Sequence, residues 1–298
     1  MSSIRSSSPI LVIGATGNVG SHVTSMLAQQ GIPVRAVSRH PDTNSGSPLS
    51  GSPLIEPVKA DLAAPSSLLP ALQDVNTVFL MIRALSAPLE PLMKVFEKSV
   101  SRIVFLSSAA IEDDRPAQTN PIAKFHFDAE ENIKQTVAQW TFLRPGAFAT
   151  NALSWWAPQI TRSDTLRWPY AEATSAPIHE RDIAAVAVRA LMEHGHEGKK
   201  YLLSGCESLT QKRQVELIGA AIGRDLRFEE ITDDESRKQL TSVMPPFVID
   251  RLLQIWRASV GKPALVTDTV RVVTGSDPST FQQWAADHST RFSRESAR

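Results

Sequence analysis

The chain has 298 residues, of which 42% are hydrophobic and 21% charged, so it can bury a large core, and wholesale disorder is excluded. Its 31 Lys and Arg residues balance 31 Asp and Glu residues, which disfavours nucleic acid as a partner. Cys206 is the single cysteine, and no apolar run approaches the roughly 18 residues of a membrane span. The sequence therefore predicts a reduced, cytoplasmic protein that does not bind membranes.

The first forty residues predict a strand, a glycine turn, a helix and a second strand. Pro9–Ile13 is a short apolar run, and Ser21–Gln30 carries apolar residues at helical spacing. Gly31 fits a helix C-cap, and Val34–Val37 is the next apolar run. These elements form one βαβ unit, whose crossover is expected to be right-handed.

The same alternation continues to about residue 145. Further strands are predicted at Leu54–Val58, Thr77–Ile82, Ile103–Leu106 and Trp140–Leu143, and helices at Ser66–Leu72, Leu89–Ser99 and Phe125–Val137. This order predicts an α/β fold of the Rossmann type, a doubly wound parallel sheet with helices on both faces. The stretch Asp42–Pro53 is rich in Ser, Gly and Pro and predicts an exposed loop.

The second half is less regular. A helix at Asp182–Glu193 and a strand at Tyr201–Leu203 resemble the first half, and the remaining predictions are a helix at Gln211–Ile222, a strand at Leu226–Ile231, helices at Asp234–Thr241 and Phe247–Val260, and a last helix from Pro278. We therefore expect residues 1–150, with 176–205 returning to the sheet, to form the nucleotide-binding domain. Residues 151–175 and 206–298 are expected to form a smaller, mainly helical lobe that binds substrate.

The glycine turn carries the strongest chemical signal. It reads Gly14-Ala15-Thr16-Gly17-Asn18-Val19-Gly20 between a predicted strand and a predicted helix. In that context glycines allow unusual backbone angles, close approach of phosphates to the main chain, and tight packing of helix on strand. A dinucleotide pyrophosphate would bind the backbone N–H groups of the turn, for which the candidate residues are Gly14, Thr16, Gly17, Asn18, Val19 and Gly20. The alternative is an ordinary turn that binds nothing.

The end of the second strand predicts which dinucleotide is bound. NAD-preferring folds usually place an acidic residue there, whereas this chain has Ser38-Arg39. The Arg39 guanidinium can pair with a 2′-phosphate, so NADP(H) is the predicted cofactor, unless Arg39 is simply a solvated side chain. Asp61 and Leu62 close the third strand, where they would contact the adenine, or Asp61 is a loop residue preceding a helix.

Several motifs together resemble the NmrA-like group of atypical short-chain dehydrogenases/reductases, in particular its quinone-oxidoreductase-like members. The resemblance covers nearly the whole chain, and it is carried in order by Gly14–Gly20, Arg102–Ser108, Thr141–Phe148 with Asn151, Ile178–Ala184 and His196–Lys199. It implies a Rossmann domain with a small C-terminal lobe and a substrate cleft between them.

The catalytic residues of ordinary short-chain dehydrogenases are missing. Those enzymes use a Tyr four residues before a Lys, but Tyr170 is followed by Thr174 and Tyr201 by Gly205 at that spacing. The resemblance instead draws attention to His126 and Glu130, which are four residues apart and share a helix face. His126 would donate a proton or orient the substrate, with an ordinary pKa near working pH, or else it pairs with Glu130 or contacts the next strand.

Other candidates surround the expected nicotinamide site. Lys124 would contact the nicotinamide ribose, as in isoflavone-reductase-like relatives, and Ser108 is a second candidate proton donor. Ser107, Pro145 and Phe148 follow strand ends, where open α/β folds bind ligands. The predicted lining of an apolar substrate cleft, which could equally be core packing, is Asn151, Trp155, Trp156 and Trp168.

The sequence thus favours an NADP(H)-dependent reductase of a small, largely apolar acceptor such as a quinone, an enone or an imine, with catalysis resting mainly on substrate placement. Two rivals remain at this point. One is a redox sensor that holds the dinucleotide without turnover, and the other is an enzyme of non-redox chemistry, such as a cyclisation, that uses the nucleotide as a scaffold. No metal site is predicted, and a homodimer is compatible with the sequence.

Overall fold

The computed structural model describes residues 8–41, 49–50, 52–82, 89–115, 118, 120–137, 139–242 and 244–294. The chain divides into two compact units, each assembled from three stretches. The first, which we call the sheet unit, comprises Met1–Gly146, Glu180–Leu203 and Thr269–Ser276. The second unit comprises Ala147–His179, Ser204–Asp268 and Asp277–Arg298. Sequence patterns had placed 269–276 in the second lobe, and 147–150, 176–179 and 204–205 with the sheet, whereas the contacts group each of these stretches with the other unit.

Within the described residues, the sheet unit contains a seven-stranded sheet in the order β3-β2-β1-β4-β5-β6-β9, with every neighbouring pair parallel. The strands are β1 (Ile10–Ile13), β2 (Val34–Ser38), β3 (Ile55–Lys59), β4 (Thr77–Leu80), β5 (Arg102–Leu106), β6 (Gln139–Pro145) and β9 (Lys199–Leu203). This order confirms the predicted doubly wound Rossmann-like fold. The winding direction reverses between β1 and β4, and such a switch point is where open α/β sheets bind ligands.

Helices of the sheet unit flank the sheet. They are α1 (Asn18–Gln29), α2 (Leu89–Phe96), α3 (Pro121–Thr136), α6 (Glu180–Met192) and α10 (Thr269–Thr274), with a 3₁₀ helix at Pro65–Leu72. The start of α3 is fixed by Asn120, whose side chain accepts a hydrogen bond from Ile122 N at 2.8 Å, and by Pro121 in the first turn. The helix therefore begins four residues earlier than the apolar spacing predicted.

The core of the sheet unit explains why its strands read as continuous apolar runs. Every residue of β1 and β5 is buried, as expected for parallel strands covered on both faces. The core between strands and helices includes Leu11, Ile13, Val78, Leu80, Ile103, Phe105, Leu92, Phe96, Ile133 and Phe142. Within the predicted polar loop Asp42–Pro53, residues 42–48 and 51 lie outside the described residues, and Leu49 is buried.

The second unit has short strands and helices around an aromatic core. β7 (Thr165–Trp168) pairs in parallel with β11 (Arg227–Glu230), and β8 (Thr174–Ser175) pairs antiparallel with β10 (Leu209–Thr210). Its helices are α4 (Asn151–Trp155), α5 (Ala157–Ile160), α7 (Gln211–Ala221), α8 (Asp233–Leu240), α9 (Pro246–Ser259) and α11 (Phe281–Asp287), followed by a 3₁₀ turn at Ser289–Arg291. The last helix begins at Phe281 rather than at Pro278 because Thr280 and Gln283 form a capping box.

Candidate functional site

The glycine turn after β1 has the geometry that its sequence predicts. Gly14 has a φ of +86°, in the left-handed region where a side chain is strained. The Gly17 N–H donates to the Gly14 carbonyl at 2.9 Å, which closes the turn, and the Ser21 N–H donates to the Gly17 carbonyl at 3.0 Å, which starts α1. The chain therefore turns directly from β1 into a helix N-terminus.

The third glycine sets how closely α1 approaches the turn. A Cβ atom built at Gly20 would lie 2.1 Å from the Gly14 carbonyl oxygen, a separation that real atoms do not tolerate. Gly17 caps α1 without any side-chain hydrogen bond, so the first N–H groups of the helix have no side-chain partner at that cap. We call the turn Gly14–Gly20, together with this helix N-terminus, the glycine cradle. Its geometry fits an anionic pyrophosphate.

The side chains of the turn play different parts. Thr16 and Asn18 are exposed, so their side chains are open to a ligand. Val19 is buried in the sheet unit, so its side chain is not available to a ligand. The predicted cofactor residues of this motif thus lie together at one end of α1.

Met81 completes this turn and was missed by the sequence reasoning. It directly follows β4, the strand beside β1, and its N–H donates to the Ile13 carbonyl at 3.3 Å. A Cβ at either Gly14 or Gly17 would lie 2.6 Å from the Met81 methyl carbon. Part of the space left by these glycines is therefore taken by a thioether. The position of Met81 directly after the strand beside β1 is the sequence signal from which this contact could have been predicted.

The ends of β2 and β3 carry the candidates for the adenosine half. Arg39 is exposed and makes no ion pair with any residue that the structure describes. The Asp61 carboxylate accepts from the Ala63 N–H at 3.0 Å, while the Ser67 hydroxyl accepts from the Asp61 N–H at 2.9 Å. Leu62 packs partly against the core. Asp61 therefore orders the turn before the 3₁₀ helix, and its contact with an adenine stays a prediction.

The ends of β5 and β6 are tied together by backbone hydrogen bonds. The Ser107 N–H donates to the Leu143 carbonyl at 2.7 Å, and the Ala109 N–H donates to the Pro145 carbonyl at 3.1 Å. Pro145 and Ser107 are buried, whereas Ser108 is half-buried and its hydroxyl accepts from the Ala110 N–H at 3.1 Å. Since all strands are parallel, these residues lie at the same sheet edge as the glycine turn.

A buried ion-pair network lies behind this edge and was not predicted. Glu130 is 1% exposed and pairs with Arg144 through Nε at 2.8 Å and Nη2 at 2.6 Å. The Ser107 hydroxyl donates to the same carboxylate at 2.6 Å. Glu130 thus pairs with the next strand rather than with His126. Ser107 is held by Glu130, so its hydroxyl proton is already used.

Asp113 extends the network towards the surface. Arg144 donates two hydrogen bonds to its carboxylate, at 2.8 and 3.0 Å, and Lys200 donates a third at 2.7 Å. Hydrogen bonds from Arg144, with a further contribution from Lys200, lower the pKa of Asp113 to about 2. The loop after β5 is thereby bound to β6 and β9 at neutral pH.

His126 differs from its prediction. Burial lowers the pKa of its imidazole to about 4, so the ring is neutral at working pH rather than half protonated. Its ring packs against Phe105, with centroids 5.8 Å apart. Lys124 lies on the exposed surface of α3 and pairs with Asp128 at 2.6 Å, so its ammonium is engaged by a neighbouring turn of the same helix. Burial therefore favours a neutral His126 ring over a protonated one at working pH, and its role as a proton donor stays a prediction.

The aromatic candidates lie in the second unit and divide into core and partly exposed residues. Trp156 is 2% exposed and Trp168 is fully buried, with its indole N–H donating to Gln211 Oε1 at 3.0 Å. Both belong to the hydrophobic core, which corrects the prediction that they line a cleft. Trp155 stacks on Trp168 at 6.1 Å but is only half-buried. Phe148 and Asn151 are likewise half-buried.

Comparison with known proteins identifies the class. The chain matches the NAD(P)H-binding family over residues 14–194, which includes the glycine cradle, α3 and the Glu130–Arg144 pair, and it belongs to that family. In the part of the chain that the structure describes, no helix has both the length and the apolar character needed to cross a membrane.

Several of the similar proteins are reductases by name. The (4-alkanoyl-5-oxo-2,5-dihydrofuran-3-yl)methyl phosphate reductase of Streptomyces griseus subsp. griseus is 36% identical, covering 96% of this chain and 100% of that protein. The NAD(P)H azoreductase of Xenophilus azovorans is 30% identical, covering 95% and 99%. The solved NADPH-dependent quinone oxidoreductase of Escherichia coli has a TM-score of 0.74 at 24% identity, covering 93% and 98%. These relatives confirm the resemblance to NmrA-like, quinone-oxidoreductase-like proteins.

Proposed function

We propose that this chain is an NADPH-dependent reductase of a small, largely apolar, electron-poor acceptor, a class that includes quinones, enones and imines. The observation that carries the proposal is the glycine cradle, in which the Gly14 turn, the Gly20 close approach and the open N-terminus of α1 fit a pyrophosphate. Two relatives that match over nearly their full length are reductases by name, which supports reduction of an acceptor as the reaction.

Arg39 supports the choice of NADPH. It stands at the end of β2, is exposed, and has no ion-pair partner among the described residues, so its guanidinium is available for a 2′-phosphate. No acidic residue stands at this strand end, where a carboxylate would repel that phosphate.

The residues of this chain supply binding and orientation. The bound dinucleotide supplies the hydride. Neither tyrosine has a lysine four residues later, and Tyr201 shares a hydrogen bond of 2.8 Å with His196. Ser107 and Glu130 are committed to Arg144, so they brace the strand ends rather than exchange protons. Catalysis would therefore depend on holding the acceptor in place against the hydride donor.

The proposal is tested by following NADPH absorbance with a panel of quinones, enones and imines, alongside calorimetric titration with NADPH. Acceptor-dependent oxidation of NADPH is the expected result. Tight binding with no turnover across the panel would contradict a reductase and indicate a dinucleotide sensor.

We also expect Arg39→Asp to weaken NADPH binding by about 100-fold, since it removes a charge-assisted contact and adds a repulsive carboxylate. The Kd for NADH should change by less than threefold, because NADH has no 2′-phosphate. The measurement is titration of both dinucleotides against both proteins, with Arg39→Gln as the variant that separates lost attraction from added repulsion. Equal losses for the two dinucleotides would place Arg39 away from the phosphate.

A further inference from the structure

One nitrogen of the His126 ring, Nδ1, is shielded from solvent. This atom has no hydrogen-bond partner among the residues that the structure describes. The ring lies against Phe105 at 5.8 Å and meets the Phe125 ring edge-on at 5.4 Å. An N–H at Nδ1 would have no acceptor in these surroundings, which favours the neutral tautomer that carries its proton on Nε2.

The charged side chains on the elements around His126 form ion pairs with other residues. On α3, the Glu130 carboxylate is held by Arg144, and Lys124 pairs with Asp128. On α2, which packs against α3, Glu90 and Lys94 form an exposed pair, and the adjoining strand β5 presents Phe105. Nothing therefore offsets the loss of hydration, and burial alone holds the pKa of His126 at about 4.

The location of His126 relative to the sheet follows from the contacts of Glu130 on the same helix. The Glu130 carboxylate accepts from the Ser107 hydroxyl at the end of β5, so that helix face is turned towards the strand ends. His126 is one helical turn earlier on the same face, which places it about 6 Å along the helix axis towards the carboxyl edge. At that edge, the ends of β4 and β5 lie on one side of the glycine cradle, and Arg39, which follows β2, lies on the other side.

We propose that His126 is a neutral hydrogen-bond donor whose Nε2–H binds the carbonyl oxygen of a conjugated carbonyl acceptor, and that such acceptors, rather than iminium ions, are the substrate class. This inference rests on the proposed reductase function. When hydride adds to the β-carbon of such an acceptor, the C=C electron pair shifts and negative charge forms on the oxygen. The donor stabilises that charge, as an oxyanion-hole group does. The α-carbon then takes a proton from water, so one hydride and one proton are consumed.

An iminium ion makes no demand on this donor. Hydride addition to its carbon moves the C=N pair onto nitrogen, and the positive charge disappears without any oxygen becoming negative. His126 should therefore discriminate between the two acceptor classes. Because a neutral imidazole does not lose its remaining N–H proton at working pH, its contribution should also be independent of pH above about 5.

The ring state is tested directly by proton–nitrogen NMR on ¹⁵N-labelled protein, with the His126 signals assigned by their absence in His126→Phe. We expect the Nε2–H tautomer and nitrogen shifts that stay constant between pH 6 and 8, both with and without NADPH. A ring that titrates in that range, or one that carries its proton on Nδ1, would overturn the proposal.

The role is tested by comparing kcat/KM for an unsaturated lactone and a quinone with kcat/KM for a cyclic iminium ion. In His126→Phe we expect a loss of about 100-fold for both carbonyl acceptors and less than threefold for the iminium ion. His126→Gln keeps a neutral donor and should recover part of the loss. As a control, His194→Phe changes an exposed residue that follows α6, where the chain nears the opposite, amino edge of the sheet, and should leave the ratio unchanged.

The outcomes separate this inference from the proposed function. Equal losses for the carbonyl and iminium acceptors would indicate a structural role for His126 and overturn the inference while leaving the reductase intact. If the unaltered protein oxidises NADPH with neither class of acceptor, the reductase proposal fails, and this role for His126 fails with it.

Discussion

A Gly20→Ala variant is expected to lose about 3 kcal/mol of folding free energy, the upper range for overpacking a tight site. The added Cβ would lie 2.1 Å from the Gly14 carbonyl oxygen, so α1 must move away from the turn. That movement separates the N–H groups of the helix from those of the loop. We therefore also expect the Kd for NADPH to rise by about 100-fold, equivalent to about 2.7 kcal/mol.

The measurements for Gly20→Ala are urea unfolding followed by tryptophan fluorescence, and NADPH titration of the folded variant. Ser25→Ala is the matched control, because Ser25 is in the same helix and, among the described residues, its side chain accepts a single hydrogen bond, from Gln29. It should change stability by less than about 0.5 kcal/mol. Unaltered stability and NADPH affinity in Gly20→Ala would show that α1 does not approach the turn this closely.

An Arg144→Met variant is expected to lose about 3–5 kcal/mol of folding free energy, because it leaves the Glu130 carboxylate buried without its partner. The side chains of Glu130 and Arg144 are 1% and 7% exposed, so water cannot replace the lost contacts. Asp113 keeps Lys200 as a partner at 2.7 Å, so the damage should centre on Glu130.

The double variant Glu130→Met/Arg144→Met provides the control for this prediction. With both charges removed and apolar groups of similar length in place, we expect it to be more stable than Arg144→Met alone. Urea unfolding of the wild type, both single variants and the double variant gives the coupling energy. Additive losses in this cycle would mean that the two residues do not act as a pair.

Local sequence signals predicted most of the sheet unit. Apolar runs located its strands because parallel strands buried on both faces are apolar throughout, and the glycine turn was recognisable because its residues are close in sequence. The start of α3 was placed too late because Asn120 and Pro121 define it through capping rather than through apolar spacing. The 3₁₀ helix at Pro65–Leu72 read as an ordinary helix although Pro70 lies inside it.

The parts of the site that sequence reasoning missed depend on contacts between distant residues. Glu130 was matched to His126 because the two share a helix face, but its actual partners Ser107 and Arg144 lie on other elements. An ordinary pKa was expected for His126, whereas burial lowers the pKa to about 4, because the pKa of a histidine depends on what surrounds it in space. The tryptophans were ambiguous in the sequence for the same reason, and burial assigned Trp156 and Trp168 to the core.

Because the two units are interleaved along the chain, few positions are suitable for truncating the protein or for joining it to a relative. Because α6, β9 and α10 return to the sheet unit after the chain has built part of the second unit, a fragment ending at residue 146 lacks them. It would leave the backbone of β6 unpaired as a new sheet edge and would uncover the face of α1 that packs on α6. Such fragments should aggregate, and a chimaera that exchanges the second unit with a relative needs five junctions, near residues 146, 179, 203, 268 and 276, rather than one.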